Sequence, residues 1–323
     1  MKQKPITVAE ATPLRFVLVT LDNHVTGSVE RAAVNLSADL PNVTIKTHAA
    51  AAWASEPEAL QECIDDIASG DIVVVTMMFL EEHINAVLPA LTARQPDCDA
   101  MICCMSAAEV MKLTRMGKFT MEGEAKGPVA LLKRLRGKTG KAKSSAGAQQ
   151  LTVLRQLPKI LRFIPGTAQD VRAYFLTLQY WLAGSELNLQ RMMAFLIDRY
   201  AAGERSALQG SLKTEAPIEY PDTGLYDPGM KKRISEKLSD LPRPKGKARG
   251  TVGLLIMRSY ALAGNTQHYD AMIAGLRSRN FNVITAFASG LDARPAVEEY
   301  FMVDGEPVID AVVSLTGFSL VGG

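Results

Sequence analysis

The first apolar run in the chain is Leu14-Arg15-Phe16-Val17-Leu18-Val19-Thr20-Leu21, and the periodicity changes after it. The run is rich in aliphatic and β-branched residues, which is typical of a strand buried on both faces of a parallel sheet. From Gly27 to Leu40, apolar residues recur instead at helical spacing. A strand followed by a helix forms one βα unit, and the rest of the fold prediction builds on this unit.

The βα pattern repeats three more times within the first 120 residues. Strands are predicted at 43–47, 71–77 and 99–105, and helices at 56–68, 80–94 and 107–116. Alternating units of this length favour a parallel sheet with flanking helices on both faces, in a flavodoxin-like arrangement. We therefore predict an N-terminal α/β domain over residues 1–132.

Three segments of different character follow this domain. At 133–150, glycine, serine and lysine replace the apolar periodicity, which indicates a basic flexible linker. Helical spacing returns at 151–202, where Gly184 and Ser185 separate two amphipathic helices and predict a helical hairpin. Five prolines at 203–250 predict an extended connection with one short helix near 230–238.

A second α/β domain is predicted to start at residue 251. Its strands are expected at 252–257, 282–287 and 309–315, and its helices at 266–278 and 294–301. Such a βαβαβ unit is half of a doubly wound fold, and its last strand would have an open edge. We therefore expect the domain over 251–323 to be truncated.

Composition excludes several classes of protein. The chain has 323 residues, a net charge of +2 and 47% hydrophobic residues, with no apolar run long enough to span a bilayer, and its first residues lead into no apolar signal core, so export is not expected. These features favour a cytoplasmic globular protein. The four cysteines and four histidines lack the spacing of a zinc site or a disulfide framework, so no metal site and reduced, buried thiols are expected.

Positive charge is concentrated at residues 125–169, which carry ten lysines and arginines and no acidic residue. Such a stretch suits nucleic acid, an anionic membrane or an acidic partner protein. Nucleic acid is disfavoured because no aromatic residue lies among the charges from Lys126 to Arg162. We predict partner docking through Lys138, Lys141 and Lys143, with a merely solvated loop as the alternative.

Ligand sites in parallel sheets lie beyond the carboxyl ends of the strands. In the first domain, His24 and Glu81 would form a proton-handling pair, or would be solvated loop residues without chemistry. In the second domain, a helix N-terminus beside a guanidinium would bind an anion such as a carboxylate. The alternative is that Asn265 or Thr266 only caps the helix. The candidate anion-binding residues are Arg258, Ser259, Gly264, Asn265, Thr266 and His268.

Four runs of sequence carry a family resemblance. They are Ser106 to Phe119, Leu157 to Leu189, Tyr220 to Pro228, and Arg258 to Tyr269. In this order they resemble the N-terminal part of the large, porphyrin-binding H subunit of magnesium chelatase, which is related to the large subunit of cobaltochelatase. The resemblance covers most of the chain from about residue 14 onward.

The resemblance implies a role in ATP-dependent insertion of Mg²⁺ into protoporphyrin IX, a step of chlorophyll and bacteriochlorophyll biosynthesis that serves photosynthesis. It implies two smaller partner subunits, an ATPase motor and its adaptor. The motor would hydrolyse the ATP, in keeping with the lack of a GxxxxGK[ST] motif here. It names no catalytic residue and no tightly bound cofactor, and this fragment alone is expected to be inactive. The alternative is a stand-alone, non-catalytic α/β module for ligand binding or docking.

Overall fold

The computed structural model describes residues 7–21, 23–121, 146–242, 246–290, 292–317 and 319, with the backbone alone for 146–153. The chain forms two compact units, Met1–Ile218 and Glu219–Gly323. The second unit therefore begins about thirty residues before the boundary predicted from sequence.

The first unit contains the predicted parallel sheet. Its strands are β1 (Leu14–Thr20), β2 (Val43–Ala49), β3 (Ile72–Thr76) and β4 (Ala100–Cys104), followed by the short β5 (Arg115–Met116) and β6 (Phe119–Thr120). The order is β2-β1-β3-β4-β5-β6, with the first four strands parallel and the last two antiparallel. This order confirms the flavodoxin-like prediction, because β2 is added on one side of β1 and β3 on the other.

Helices cover the central strands of this sheet. They are α1 (Val8–Ala11), α2 (Thr26–Asp39), α3 (Pro57–Ser69), α4 (Glu81–Arg94) and α5 (Ala108–Met111). Alternate residues of β1 and β3 pack with α3 and α4 in one core, which contains Val17, Val19, Val73, Val75, Cys63, Ile67, Ile84, Val87 and Leu91. Phe16 and Leu18, between them on β1, are equally inaccessible to solvent. Burial on both faces explains the continuous apolar run that opens the domain.

The helical hairpin belongs to this unit. It follows α6 (Ala146–Leu161) and consists of α7 (Thr167–Ala183) and α8 (Glu186–Tyr200). Gly184 ends α7 with a positive φ of 43°, and the Ser185 hydroxyl caps α8 by accepting from the Asn188 amide at 3.3 Å. Helix α8 packs against α2, and α7 packs against α6. The aromatic and methionine side chains of the hairpin are buried and form part of the core, among them Tyr174, Trp181, Met192 and Met193.

Two predicted helices are wrong in whole or in part. In place of a helix near 230–238, the chain forms β8 (Ile234–Ser235), which pairs with β7 (Thr223–Tyr226), and then a 3₁₀ turn at Leu238–Asp240. Arg233 has a positive φ of 58°, which a helix cannot accommodate. The helix predicted at 107–116 stops at Met111, because residues 115–116 pair with β4 instead.

The second unit is built around a five-stranded sheet of order β13-β9-β10-β7-β8. The strands β9 (Thr251–Leu255), β10 (Asn282–Ala288) and β13 (Ala311–Ser314) are parallel, whereas β7 and β8 are antiparallel. The helices are α9 (Arg258–Ala263), α10 (Gln267–Ser278) and α11 (Arg294–Tyr300), and β11 (Met302–Val303) pairs with β12 (Glu306–Pro307). The connection predicted at 203–250 thus contributes two strands.

No helix in the described part of the chain is both long and apolar enough to cross a membrane. The same residues hold no group of three or more His, Cys, Asp or Glu side chains that could bind a metal ion.

Candidate functional site

The carboxyl ends of the parallel strands in the second unit form the candidate site. Strand β9 lies between β10 and β13, so the connection after β9 leads to one neighbouring strand and the connection after β10 leads back across β9 to the other, the topology at which parallel sheets bind ligands. A very small pocket, with a volume of about 20 Å³, lies at these strand ends. Its lining is mostly apolar and consists of Leu255, Ile256, Met257, Phe287, Ala288, Gly290, Ala293 and Thr316.

Arg258, the first residue of α9, binds backbone rather than an open space. Its Nε donates to the carbonyl of Pro221 at 2.9 Å, and its Nη2 donates to the carbonyl of Tyr220 at 3.1 Å. These bonds fasten the segment before β7 to the end of β9. They also bring together two of the four runs that carry the family resemblance. Ser259, the next residue, is half-buried.

Three of the candidate anion-binding residues lie in the turn between α9 and α10, and they differ in burial. Gly264 ends α9 with a φ of 71°, and Gly264 and Asn265 are exposed. Thr266 is buried, and its hydroxyl accepts from Arg233 Nη1 at 3.2 Å and lies 3.4 Å from Asp270 Oδ2. That hydroxyl makes no helix-capping bond, so Thr266 belongs to a side-chain network.

Tyr226 and Asp270 are the other members of this network. The Tyr226 hydroxyl donates to Asp270 Oδ1 at 2.5 Å. Burial, with the hydrogen bond to Asp270, raises the pKa of Tyr226 to about 12. The phenol therefore stays protonated at neutral pH and holds the first turn of α10 to β7.

His268 is exposed on the first turn of α10. Its ring lies against Tyr269 with a centroid distance of 3.8 Å, and edge-on to Tyr260 at 5.6 Å. The Tyr269 hydroxyl in turn accepts from the Met257 amide at 3.2 Å, at the end of β9. Of the six predicted residues, Gly264, Asn265 and His268 thus share one exposed surface, while Arg258 and Thr266 face the protein.

Sequence reasoning missed a buried ion pair in this unit. Asp227 is inaccessible to solvent, and both terminal nitrogens of Arg277 on α10 donate to its carboxylate. Asp227 Oδ1 also accepts from the Gly229 amide at 2.9 Å. The only sequence signal was that Asp227 lies within the Tyr220 to Pro228 run. Its partner lies 50 residues away.

In the first unit, hydrogen bonds join the loops that follow β3 and β4. Ser106 Oγ accepts from the Met78 amide at 3.1 Å and donates to the Cys104 carbonyl at 3.0 Å. Met77 and Met105 have positive φ values of 62° and 48°, conformations that cost about 1–3 kcal/mol each and that Ser106 helps to hold.

The two residues proposed for proton handling lie at this edge of the first sheet. His24 is in the turn before α2, and Glu81 is exposed at the first position of α4. The structure shows no contact that joins them.

Asp170 of α7 joins two of the family-like runs. Its carboxylate accepts from the Lys118 amide at 3.0 Å, from Arg199 at 3.0 Å and from the Tyr200 hydroxyl at 3.1 Å. A side chain at Gly117 would place its Cβ 2.8 Å from Asp170 Oδ2. These contacts hold the turn at Gly117 and Lys118 against α7 and α8. The proposed docking residues Lys138, Lys141 and Lys143 lie outside the described residues.

Comparison with known proteins identifies the class first. Residues 15–175 match the model of a domain of unknown function, DUF3479, and residues 178–323 match the model "CobN/Magnesium Chelatase". The second match covers the whole of the candidate site. This match places the second unit in the class of CobN and magnesium-chelatase proteins.

Individual relatives specify the family. The chain is 48% identical over 308 residues to the magnesium-chelatase H subunit of Cereibacter sphaeroides, a match that covers 95% of this chain and 25% of that protein. Identity is 44% to the H subunit of Rhodobacter capsulatus, with the same coverage, and 34% to chloroplastic ChlH of Oryza sativa subsp. indica, over 80% of this chain and 19% of that one. The chain belongs to the H-subunit family of magnesium chelatases and spans about a quarter of the length of these two bacterial relatives.

A solved structure, the catalytic subunit of cobaltochelatase from Mycobacterium tuberculosis, aligns with 94% of this chain and 18% of its own. The TM-score is 0.41 and the identity is 14%, values too low to compare sites.

Proposed function

We propose that this chain is the part of a magnesium-chelatase H subunit that takes part in ATP-dependent insertion of Mg²⁺ into protoporphyrin IX, a ligase reaction that forms nitrogen–metal bonds. The product serves bacteriochlorophyll or chlorophyll biosynthesis, and we propose the cytoplasm as the site of the reaction. The 48% identity to a bacterial H subunit over 95% of the chain carries this proposal.

The second unit supplies the substrate-facing surface in this proposal. Gly264, Asn265 and His268 are exposed in the turn after α9 and the first turn of α10, where they are available to contact a porphyrin or its carboxylates. Ser259, half-buried in the first turn of α9, borders them. Arg258 and Thr266 act indirectly, because their polar groups hold the segment before β7 and the first turn of α10 in place.

Partners and co-substrates follow from the same family. Mg²⁺ and protoporphyrin IX are substrates, and a separate ATPase motor with its adaptor hydrolyses the ATP, so no tightly bound cofactor is proposed here. The basic stretch, with Lys138, Lys141 and Lys143, provides a docking surface for an acidic partner, since complementary charge accelerates encounter.

A reconstitution assay tests the proposal. This chain, mixed with the two smaller subunits, ATP, Mg²⁺ and protoporphyrin IX, should yield no metallated product, because it spans a quarter of the relatives' length. The full-length H subunit from Cereibacter sphaeroides is the positive control. Turnover by this chain above background contradicts a role that depends on the rest of the large subunit.

A further inference from the structure

The imidazole of His268 is held in place without the use of its nitrogens. Its orientation is set by ring contacts alone, at 3.8 Å to Tyr269 and 5.6 Å to Tyr260, with interplanar angles of 48° and 80°. Within the described part of the chain, neither ring nitrogen has a hydrogen-bond partner. An exposed histidine that is oriented but unbonded has a lone pair free for a ligand.

The residues of α10 next to His268 on its exposed surface are uncharged. Ala271 and Met272 lie one turn further along α10, and both are exposed. The nearest charged residues of the helix have partners elsewhere: Asp270 binds Tyr226, Arg277 binds Asp227, and Arg279, two turns further on, bonds the Gly275 carbonyl. An exposed helix face is ordinarily polar or charged. This one offers weakly polar side chains beside the free imidazole, which suits a planar apolar molecule.

We infer that His268 is an axial ligand for the metal of a magnesium tetrapyrrole, the product of the reaction proposed above. The inference rests on that proposed function. The four pyrrole nitrogens lie in one plane and leave an axial position on the metal open. The neutral imidazole donates a lone pair to Mg²⁺, and the water that occupied this position leaves, with no proton transferred. Metal-free protoporphyrin has no such position, so His268 distinguishes product from substrate.

The test is a titration of this chain with magnesium protoporphyrin IX and, separately, with metal-free protoporphyrin IX, followed by the Soret band. Changes around a metal site cost about 10–100-fold in metal affinity, so His268→Ala should weaken binding of the magnesium form at least tenfold. It should change binding of the metal-free form less than twofold. The Soret shift that marks axial ligation should disappear, and added imidazole should restore it.

Two variants serve as controls. Gln267→Ala alters the neighbouring exposed residue of α10, and His83→Ala removes a histidine of the first unit that belongs to no proposed site. Neither should change the affinity for the magnesium form. Equal loss for both porphyrins, or an unchanged Soret shift in His268→Ala, overturns the ligand assignment and leaves the proposed function intact. If the wild-type chain binds neither porphyrin, the porphyrin-contacting surface proposed for this chain fails, and the ligand assignment fails with it.

Discussion

The buried pair Asp227–Arg277 should be decisive for the stability of the second unit. Asp227 is inaccessible to solvent, and its carboxylate accepts from both terminal nitrogens of Arg277 and from the Gly229 amide. The substitution Arg277→Met keeps most of the aliphatic stem and removes the guanidinium. The carboxylate then remains buried with a single amide donor.

The magnitude follows from the burial of the two partners. Removing one member of a buried ion pair costs about 3–5 kcal/mol. The side chain of Arg277 is 30% exposed, so water reaches the pair from that side. We therefore expect the lower end, about 3 kcal/mol of unfolding free energy. For a unit of this size, that corresponds to a fall in Tm of roughly 10–20 °C.

Hydrogen exchange measures this effect where it occurs. Amides of β9 and β10 should lose protection in Arg277→Met, while those of β1 and β3 serve as an internal reference. Both tryptophans, Trp53 and Trp181, belong to the first unit, so their fluorescence reports that unit separately. Arg279→Met is the matched control, because Arg279 is exposed and bonds only the Gly275 carbonyl of its own helix. Its cost should stay below about 0.5 kcal/mol.

The double variant Asp227→Asn/Arg277→Met tests the cause. Asparagine keeps an acceptor for the Gly229 amide but carries no charge, so most of the lost stability should return. A cost below about 1 kcal/mol for Arg277→Met refutes the reasoning. So does a double variant that is no more stable than the single one.

Three further predictions concern the first unit and the basic stretch. Asp170→Ala removes the carboxylate that accepts hydrogen bonds from Lys118, Arg199 and Tyr200, so it should lower the free energy of unfolding by about 2–3 kcal/mol. The amides of residues 115–120 should then exchange faster, and unchanged protection of these amides would contradict the role of Asp170. Burial raises the pKa of Cys63 and Cys104 to about 12, so a thiol reagent at pH 8 should label these thiols only after unfolding. Because these thiols stay protonated in the folded state, their contribution to the free energy of unfolding should be complete below about pH 9 and be lost as the pH rises toward 12. Denaturation midpoints that do not decrease between pH 9 and pH 12 would contradict this prediction. Finally, Lys138→Glu/Lys141→Glu/Lys143→Glu in a full-length large subunit should slow association with its partner, more at low salt than at high salt, and a rate that does not change with salt would leave this stretch a solvated linker.

Periodicity in the sequence was sufficient for the long elements. The apolar run at 14–21 and the helical spacing from Gly27 correspond to β1 and α2, because both elements bury a regular set of side chains. Short strands carry no such signal. Strands β7 and β8 have four and two residues, and only their pairing with each other and with β10 defines them.

The helix-capping pattern in the sequence was misleading at Ser55, because its hydroxyl has a different hydrogen-bond partner. The sequence around Ser55 suggests a capping box, but the Ser55 hydroxyl donates to the Ala52 carbonyl and α3 begins at Pro57 with no side-chain cap. Long-range partners were beyond sequence reasoning altogether. Arg205 makes two bonds to Asp99 at 2.8 Å across 106 residues and secures the segment after the hairpin to the amino end of β4.

The anion-binding site remains a prediction, and the contacts of its residues could not be read from the sequence. The turn at Gly264 and Asn265 and the first turn of α10 with His268 are exposed, but none of these residues lines the pocket at the strand ends. Arg258 was expected to bind an anion. Its actual partners, the carbonyls of Tyr220 and Pro221, come from a segment that no local pattern joins to it.

The central claim is that this chain performs the work of the corresponding quarter of a magnesium-chelatase H subunit, and a segment exchange measures it most directly. The matching segment of the Cereibacter sphaeroides protein is replaced by this chain, and magnesium protoporphyrin formation is followed with the two smaller subunits, ATP and Mg²⁺. We expect a chimera whose rate is within about tenfold of the parent, a barrier difference below about 1.4 kcal/mol. A folded chimera that binds its partners but forms no magnesium protoporphyrin would contradict it.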